Sequence, residues 1–323
     1  MITLRDRRTH DVVSCSGGKD STATLLLALN DPDVPRDTLH VVFADTGNEH
    51  ELTYEYLGYL ETELGIKIDW LRADFNERIE NKRRYIETKW REERVDESIV
   101  QRALEVLRPT GNPYLDLCLW KGRFPSRMAQ FCTQELKTRP LSLYQQQIQV
   151  ERGGDLWSWQ GIRRDESEAR KNALGLEQFE PGVWAYRPLI HWSAQQTVDY
   201  VRSCGVKLNP LYSKGMKRVG CMPCINAGKH EISQIAVRYP EHIDRIAEWE
   251  ALVTAASKSR RTTFFPAVII PGLNPELSNA EIAEQGSVWN VVKWAKTLRG
   301  GKKVDPQWEE APQGCVSAYG LCE

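Results

Sequence analysis

The first part of the chain alternates short β-branched and apolar runs with longer segments of helical periodicity. A short apolar run at residues 11–15 is followed by a glycine turn and by the apolar stretch 21–30. Residues 37–47 are a second β-rich run, residues 50–65 carry apolar side chains at helical spacing, and residues 66–73 predict a third strand. Strands that alternate with helices are typical of a parallel sheet covered on both faces. We therefore predict an α/β fold with helices flanking a parallel sheet.

The middle of the chain is less regular. Residues 77–107 have helical propensity and a dense mixture of both charge signs, which is typical of solvated helices; a lid or a surface that meets a polyanion is the alternative. Residues 108–127 are rich in turn formers and predict a loop with short elements. Residues 155–167 predict a strand followed by a loop.

Composition limits the class of protein. The chain has 323 residues, 41% of them hydrophobic, and a formal net charge of −1. This charge excludes a strongly basic nucleic-acid coat, although a local basic patch stays open. No apolar stretch approaches the roughly 20 residues of a membrane span, and the charged N-terminus lacks the apolar segment of a secretory signal. We expect a cytoplasmic protein that does not bind membranes.

A glycine-rich hexapeptide follows the first predicted strand and opens the first predicted helix. Its glycines allow a tight turn that leaves backbone amides pointing outward, and the helix N-terminus adds partial positive charge. A lysine ammonium and two serine hydroxyls complete a cradle suited to phosphate or pyrophosphate. The spacing differs from that of a Walker A loop. The predicted nucleotide-binding residues are Ser16, Gly17, Gly18, Lys19, Asp20 and Ser21.

A second candidate follows the second predicted strand. Asp45 and Thr46 come at its carboxyl end, which is where open α/β sheets bind ligands. We predict that the Asp45 carboxylate holds a metal-bound phosphate or a ribose; a simple turn-forming aspartate is the alternative.

The cysteines form a third candidate. Cys221 and Cys224 make a C-x-x-C motif with several lysines and arginines nearby, which favours thiolates that grip one metal centre. A redox dithiol or half of a zinc site stays open on these residues alone. We expect Cys15, Cys118 and Cys204 to be small buried residues.

Seven motifs occur in order over roughly residues 11–235: SGGKDS, VFADTGNEHELTYEYL, FCTQELKTRPL, GIRRDESEAR, RPLIHWSAQQTVDYV, NPLY and VGCMPC. Together they make the chain resemble the phosphoadenosine phosphosulfate (PAPS) reductase family of the PP-loop ATP pyrophosphatase, or adenine nucleotide alpha hydrolase-like, superfamily. The resemblance implies a Rossmann-like parallel sheet of the five-stranded type, with a nucleotide lying over residues 16–21. It also implies that Gly161 and Arg163 take part in binding phosphate or sulfate.

The resemblance implies a division of the chain as well. Residues 1–235 would form the nucleotide-binding domain, with residues 77–107 as a charged helical insert. Residues 236–323 would form a helical extension that ends in a cysteine-containing tail.

Lys19 distinguishes this chain from the best-known sulfonucleotide reductases, which tend to lack that lysine, whereas ATP-cleaving members of the superfamily keep it. The resemblance therefore implies ATP with Mg²⁺ as the ligand. In that chemistry an acceptor oxygen attacks the α-phosphate, AMP is transferred and pyrophosphate leaves. Lys19 and Asp45 are then the candidate catalytic residues.

The cysteine pattern implies the cluster-bearing subset of the family. There a cysteine at the position of Cys132 joins Cys221 and Cys224 in holding a [4Fe–4S] cluster, but this chain has a threonine where those reductases carry an adjacent cysteine. Cys315 is the predicted fourth ligand and Cys322 the predicted mobile catalytic thiol. The reverse assignment, an open iron site that receives sulfide, and a zinc centre are the alternatives.

The predicted function is thus ATP-dependent activation of an acceptor in sulfur transfer. A sulfonucleotide reductase that forms sulfite through Cys322 is one alternative, and a nucleotide- or cluster-sensing subunit of a modification or defence complex is another. The partners expected are an adenine nucleotide, a nucleotide or nucleic-acid acceptor, and a sulfur donor or thioredoxin-like reductant. A homodimer is also expected.

Overall fold

A six-stranded sheet forms the centre of the computed structural model, which describes residues 8–266 and 277–297. Its strands are β1 (Arg8–Ser14), β2 (Leu39–Asp45), β3 (Ile68–Arg72), β4 (Asp155–Trp159), β5 (Leu176–Glu180) and β6 (Val183–Tyr186). The order across the sheet is β3-β2-β1-β4-β6-β5. Five strands are parallel, and β5 pairs antiparallel with β6 at one edge. The predicted α/β fold is confirmed, with one antiparallel edge strand beyond the five-stranded type.

Helices surround this sheet. They are α1 (Lys19–Asn30), α2 (Glu51–Leu64), α3 (Asn76–Tyr85), α4 (Glu97–Val106), α5 (Pro113–Lys121), α6 (Phe131–Thr133), α7 (Arg139–Arg152), α8 (Ala194–Ser203), α9 (Pro210–Ser213), α10 (Lys229–Arg238), α11 (Pro240–Ala255), α12 (Asn279–Gln285) and α13 (Val288–Ala295). A π-helical segment, Ile86–Trp90, continues α3, and another, Gln134–Thr138, joins α6 to α7. Within the described residues, none of these helices has the length and apolarity that crossing a membrane requires.

The central strand β1 is buried on both faces. Val13 belongs to an apolar cluster that includes Leu25 of α1, while its neighbour Val12 packs with Leu141 and Ile148 of α7 on the other face. Alternate side chains of a strand point to opposite faces, so a strand with both faces covered is a continuous apolar run. This is why residues 11–15 lack an alternating polar pattern.

A second and larger apolar cluster lies under α3, α4, α5, α10, α11 and α13. It contains residues of the charged insert, such as Ile79 and Val100, together with Trp249 and Val291 from beyond residue 235. The division of the chain at residue 235 stays a prediction; residues from both sides of it pack in this one cluster.

Residues 108–127, predicted as a loop with short elements, contain one such element, the nine-residue helix α5. Asn112 caps this helix by accepting a hydrogen bond from the Leu115 amide, Pro113 occupies its first turn, and Gly122 ends it with a φ of +64°. These are the preferred residues of helix starts and ends. The turn formers therefore mark the two ends of a short helix.

Glu250 of α11 is a buried carboxyl that joins three parts of the larger cluster. Its two oxygens accept hydrogen bonds from the amides of Phe264, at 2.8 Å, and of Val288, at 2.9 Å. Burial raises the pKa of Glu250 to about 7, although these two bonds act in the opposite direction. The side chain therefore holds its proton over a pH range in which an unfolded glutamate has lost it.

This pKa predicts how stability changes with pH. Between about pH 4.5 and about pH 7 the folded state binds one proton at Glu250 that the unfolded state has lost. The free energy of unfolding therefore falls as the pH rises, by up to about 3 kcal/mol in total, and levels off above pH 7. Glu250→Gln should lack this component. Urea unfolding from pH 5 to pH 8 should give a flatter profile for Glu250→Gln than for the wild type, while Glu248→Gln, an exposed site on the same helix, keeps the wild-type slope. Parallel profiles for the wild type and Glu250→Gln would contradict the assignment.

Candidate functional site

The predicted phosphate loop lies at the carboxyl end of β1, between Ser14 and the start of α1 at Lys19. Gly17 has a φ of +78°, and a Cβ atom there would lie 3.2 Å from Cγ2 of Thr53, so the turn requires glycine. Gly18 is the N-cap of α1 and has no side chain to cap the helix. The positive end of α1 therefore faces the loop, and its N-cap residue contributes no hydrogen bond to the first amides.

The two serines of the loop hold its shape. The Ser21 hydroxyl accepts a hydrogen bond from the Ser16 amide and donates to the carbonyl of Gly18, both at 3.1 Å. The two hydroxyl oxygens also lie 3.1 Å apart. These contacts stabilise the conformation that presents the loop to a ligand; binding of phosphate by these residues stays a prediction.

A buried ion pair ties the loop to the segment after β4. Arg163 Nε donates to Oδ1 of Asp20 at 2.7 Å, and both side chains are almost completely buried. Lys19 Nζ lies 2.9 Å from the other carboxylate oxygen of Asp20. The structure thus brings Lys19, Asp20 and Arg163 together, and Arg163 also pairs with the Asp165 carboxylate.

Gly161 shows how closely these two segments approach. A Cβ atom at this position would lie 2.9 Å from the carbonyl carbon of Asp20 and 3.0 Å from the amide nitrogen of Ser21. The backbone after β4 therefore rests directly on the first turn of α1, and only glycine leaves room for it.

Two residues that the sequence prediction did not assign also contact the loop. Asn209 Nδ2 donates to the carbonyl of Gly17 at 3.2 Å, and the Tyr212 hydroxyl accepts from the amide of Lys19 at 3.0 Å. Both residues belong to the NPLY motif, one of the motifs on which the family resemblance rests. The residues around that motif do not indicate which distant loop it contacts.

Asp45 and Thr46 form a tight turn at the end of β2. Asp45 accepts from the amide of Gly47 and the hydroxyl of Tyr54, each at 2.9 Å, and pairs with Arg72 at 3.0 Å. The turn-forming role that the sequence left open is therefore present. Metal or ribose binding by Asp45 stays a prediction.

Thr46 connects this turn to the cysteines. Its hydroxyl donates to the buried Glu49 carboxyl at 2.7 Å and lies 3.5 Å from Sγ of Cys221. The Cys221 thiol in turn lies 3.8 Å from the same Glu49 oxygen. The first cysteine of the C-x-x-C motif therefore packs directly against the turn that ends β2.

The three predicted metal-binding cysteines of the described residues line one small cavity. Cys132, Cys221 and Cys224 share it with two cationic side chains, Lys137 and Arg218. Burial raises the pKa of the Cys132 and Cys221 thiols to about 12 each, and the charge of Lys137 opposes that rise. Arg218 hydrogen-bonds Cys224. The cavity thus holds three thiols whose ionised forms would be stabilised by the cations and by a bound metal.

The C-x-x-C loop is clamped to the turn after β2. The Met222 amide donates to the Asn48 carbonyl at 2.7 Å, and Asn48 Nδ2 donates to the carbonyl of Pro223 at 3.0 Å. Arg245 of α11 donates to the carbonyl of Met222 at 2.8 Å and to Oδ1 of Asn48 at 2.9 Å. Backbone and side-chain bonds together fix the position of the cysteines relative to β2.

Two histidines and a glutamate lie behind this clamp. In the described part of the chain, His50, Glu51 and His242 are the one group of three close enough to share a metal ion. However, Nδ1 of His242 already lies 2.8 Å from Arg245 and 3.1 Å from the Met222 carbonyl, both members of the clamp. The Leu52 amide donates to Nδ1 of His50. One nitrogen of each ring is thus engaged within the protein, and the group supports the clamp.

A comparison with models of protein families shows to which family the chain belongs. The model of the phosphoadenosine phosphosulfate reductase domain matches residues 10–227, about two thirds of the chain. The chain belongs to the phosphoadenosine phosphosulfate reductase family. The match runs from β1 through the C-x-x-C motif, so it covers the loop, the turn after β2 and the three cysteines that line the cavity.

Individual relatives of this PAPS reductase family member differ in how far they match. An uncharacterised 37.8 kDa protein of Escherichia phage 186 is 43% identical over 98% of this chain and 97% of its own length. A phosphoadenosine 5'-phosphosulfate reductase of Buchnera aphidicola is 25% identical over 65% of this chain and 68% of its own. The structure of the Candida auris PAPS reductase in its phosphate complex aligns with a TM-score of 0.40 and 13% identity, covering 67% of this chain and 82% of that one.

The remaining cysteines can also be compared with the predictions made for them. Cys15 and Cys118 are buried, as predicted, while Cys204 is only partly buried. Cys315 and Cys322 lie outside the described residues, so their assignment as fourth ligand and mobile thiol stays a prediction, as does membership of the cluster-bearing subset.

The close approach at Gly161 gives a direct test of the loop geometry. Gly161→Ala should force the two backbone segments apart and lower the free energy of unfolding by about 1–3 kcal/mol, as overpacking does. Gly58→Ala is the matched control, because nothing lies within 4 Å of a Cβ atom there, and alanine in α2 should stabilise by about 0.5–1 kcal/mol. Urea unfolding of both variants measures the difference. Equal stability of the two variants would show that the segments do not meet as described.

Proposed function

We propose that this family member is an adenine-nucleotide enzyme that cleaves ATP to AMP and pyrophosphate and so activates an acceptor in sulfur transfer. The observation that carries the proposal is the contact between Thr46 and Cys221, whose side-chain oxygen and sulfur lie 3.5 Å apart. Thr46 follows the carboxyl end of β2, where ligands of open α/β sheets bind. A metal centre held by Cys221 would therefore lie directly beside a bound nucleotide.

The loop at residues 16–21 supplies groups suited to the polyphosphate. The N-terminus of α1 faces it, and Lys19 and Arg163 bring two cations that the buried Asp20 carboxylate holds at the loop. Positive charge fixed in advance stabilises the negative charge that develops on departing pyrophosphate. Asp45, at the end of β2, is the proposed partner of Mg²⁺.

The proposed step is a substitution at the α-phosphorus of ATP. A bond forms between an acceptor oxygen and the α-phosphorus, and the bond from that phosphorus to the bridging oxygen breaks. Pyrophosphate leaves with the bonding electrons, and the acceptor's proton passes to solvent. The adenylated oxygen is then a good leaving group for a sulfur nucleophile. The proposed acceptor is a nucleotide or a nucleic acid.

The cavity with Cys132, Cys221 and Cys224 fits a [4Fe–4S] cluster better than one zinc ion. A tetrahedral zinc ion with bonds of about 2.3 Å brings its sulfurs within about 3.8 Å of one another, whereas no three cysteine sulfurs of the described residues lie within 4.8 Å of each other. Lys137 and Arg218 would offset part of the negative charge of the thiolates. When bound, the cluster would supply redox-active iron beside the nucleotide.

Lys19 provides the first test of the proposal. Lys19→Ala should weaken the binding of ATP–Mg²⁺ about 10- to 100-fold, because it removes a charged hydrogen bond to phosphate, and should abolish release of pyrophosphate. Isothermal titration calorimetry with ATP–Mg²⁺ measures the first effect. Lys258→Ala, which removes an exposed lysine paired with Glu93, is the control and should bind ATP as the wild type does. Absence of ATP binding by the wild-type chain, or unchanged affinity in Lys19→Ala, would reject the proposal.

A sulfonucleotide reductase is the second candidate, and the relationship to the Buchnera protein named as a PAPS reductase favours it. In this reaction the Cys322 thiolate would form a bond to the sulfonate sulfur, and the sulfur–oxygen bond to the nucleotide would break. A thioredoxin-like dithiol would then reduce the resulting thiosulfonate, release sulfite and become a disulfide.

Sulfite production separates the two candidates. For a reductase, incubation with PAPS and reduced thioredoxin should yield sulfite and a sulfonated adduct on Cys322 that mass spectrometry detects. Cys322→Ser should lose both signals, and Cys204→Ser should keep them. Under the ATP proposal, neither the wild type nor either variant forms sulfite, because the nucleotide that is cleaved is ATP.

A further inference from the structure

A second cavity, about 510 Å³ in volume, lies at the carboxyl end of β3. Its walls come from the end of β3, the first turn of α3, the π-helical segment Gln134–Thr138 and the start of α7. This volume lies within the range of about 300–1,000 Å³ that is typical of sites for small molecules. Within the described ranges, none of the residues predicted to bind nucleotide or metal lines this cavity. It therefore offers space that the predicted site does not use.

Three arginines from three elements line this cavity, which we call the arginine cavity: Arg72 of β3, Arg78 of α3 and Arg139 of α7. The carboxylate of Glu135 also lines it and lies 3.2 Å from Arg78 and 3.6 Å from Arg139. The same carboxylate lies 4.0 Å from Nζ of Lys121. One carboxylate cannot neutralise three cations, so positive charge remains. The side chains of Arg72 and Arg139 are 55% and 53% exposed, which leaves both within reach of a ligand.

The other acidic groups near the arginine cavity have partners within the protein. Asp74, the second carboxylate of the lining, accepts from the backbone amide of Asn76 at 2.7 Å and from its side-chain amide at 3.3 Å. Nε of Arg72 lies 3.0 Å from the carboxylate of Asp45, the proposed partner of Mg²⁺. The arginine cavity therefore attracts an anion and lies directly beside the turn after β2.

Trp70 adds an aromatic surface to the arginine cavity. Its ring stacks on Tyr54, with centroids 5.7 Å apart, and meets Phe43 edge-on at 5.0 Å. Trp70 is nevertheless 43% exposed, so the protein holds the ring in place and leaves part of it open. Every base has a π-face that can stack on such a ring, and arginine matches the geometry of phosphate. This combination favours a nucleotide over an anion without a base.

The helical segment around residues 133–140 separates the arginine cavity from the cavity of the three cysteines. Glu135 and Arg139, four residues apart, line the arginine cavity, whereas Thr133 and Lys137, also four apart, line the cysteine cavity. Residues at this spacing share one face of a helix, so the two cavities lie against different faces of one segment. Part of that segment is π-helical, which is frequent at functional sites.

We propose that the arginine cavity binds the acceptor, with a nucleotide phosphate between Arg72 and Arg139 and a base on Trp70. This inference rests on the proposed function, which requires an acceptor beside Asp45 and the cysteine centre. The two half-exposed arginines can each form paired hydrogen bonds to phosphate. The phosphate belongs to a free nucleotide or to single-stranded RNA, since both present the same chemistry to these side chains.

Binding of two probes to the full chain tests the acceptor site. The probes are a short, fluorescein-labelled, single-stranded RNA, followed by fluorescence anisotropy, and the four unlabelled nucleoside monophosphates as competitors. A saturating concentration of the Mg²⁺ complex of α,β-methylene-ATP is present, because this analogue occupies the phosphate loop and cannot release pyrophosphate. Displacement of the RNA by a monophosphate assigns a free nucleotide as acceptor, and binding of the RNA alone assigns a nucleic acid.

Arg139→Ala should weaken binding of the RNA about 10- to 100-fold, because it removes a charged contact to phosphate. It should also lower the slope of log K against log salt by about 0.7, which a merely structural effect would not do. Arg139→Lys keeps the charge without the planar fork and should recover part of the loss. Arg152→Ala is the matched control: it removes an exposed arginine at the other end of α7 and should bind as the wild type does.

The outcomes separate this inference from the function on which it rests. A wild type that binds ATP but neither probe, or equal weakening in Arg139→Ala and Arg152→Ala, overturns the acceptor site and leaves ATP cleavage standing. A fall in ATP affinity in Arg139→Ala as large as that in Lys19→Ala would make the arginine cavity part of the ATP site and overturn the inference too. Binding of the RNA through Arg139 by a chain that does not bind ATP would reject the proposed function and keep the cavity as a site for nucleotide phosphate.

Discussion

The clamp between the C-x-x-C loop and the turn after β2 is the constraint on which the site depends. Asn48 bonds this loop through its backbone carbonyl and its side chain, and Arg245 reaches from α11 to the Met222 carbonyl and to Asn48. These contacts hold Cys221 3.5 Å from the Thr46 hydroxyl. Without them the cysteines and the end of β2 would be separate features of the chain. With them, the C-x-x-C thiols and the carboxyl end of β2 lie against each other.

A second constraint acts on the phosphate loop. The Asp20 carboxylate is buried between Arg163 and Lys19, and Gly161 lets the backbone after β4 rest on the first turn of α1. A buried ion pair adds little net stability once desolvation is counted, but removing one partner leaves an uncompensated charge. The buried Asp20 carboxylate therefore acts mainly on geometry, because it fixes the positions of Lys19 and Arg163 beside the loop.

The larger apolar cluster supports both constraints from one side. Helix α11 supplies Arg245 to the clamp, Trp249 to the stacking on Tyr114, and the buried carboxyl of Glu250 to the amides of two other segments. The helices beyond the sheet thus position the cysteine loop. This explains why a chain of this family uses residues outside the matched region 10–227 to build its site.

Local sequence was sufficient for the elements that local chemistry specifies: the strand, glycine turn and helix at residues 11–30, and the parallel sheet that follows from alternating strands and helices. Spacing also indicated Cys221 and Cys224, and the family resemblance added Cys132; all three line one cavity. Local sequence could not show that Tyr212 and Asn209 contact the loop. Nor could it identify the turn formers around α5 as helix caps. The contacts of Tyr212 and Asn209 join residues almost 200 positions apart, and only tertiary packing decided them, because hydrogen-bond partners across such a separation are a property of the folded chain. The caps of α5 are local, but turn formers alone do not say whether they flank a helix or a loop.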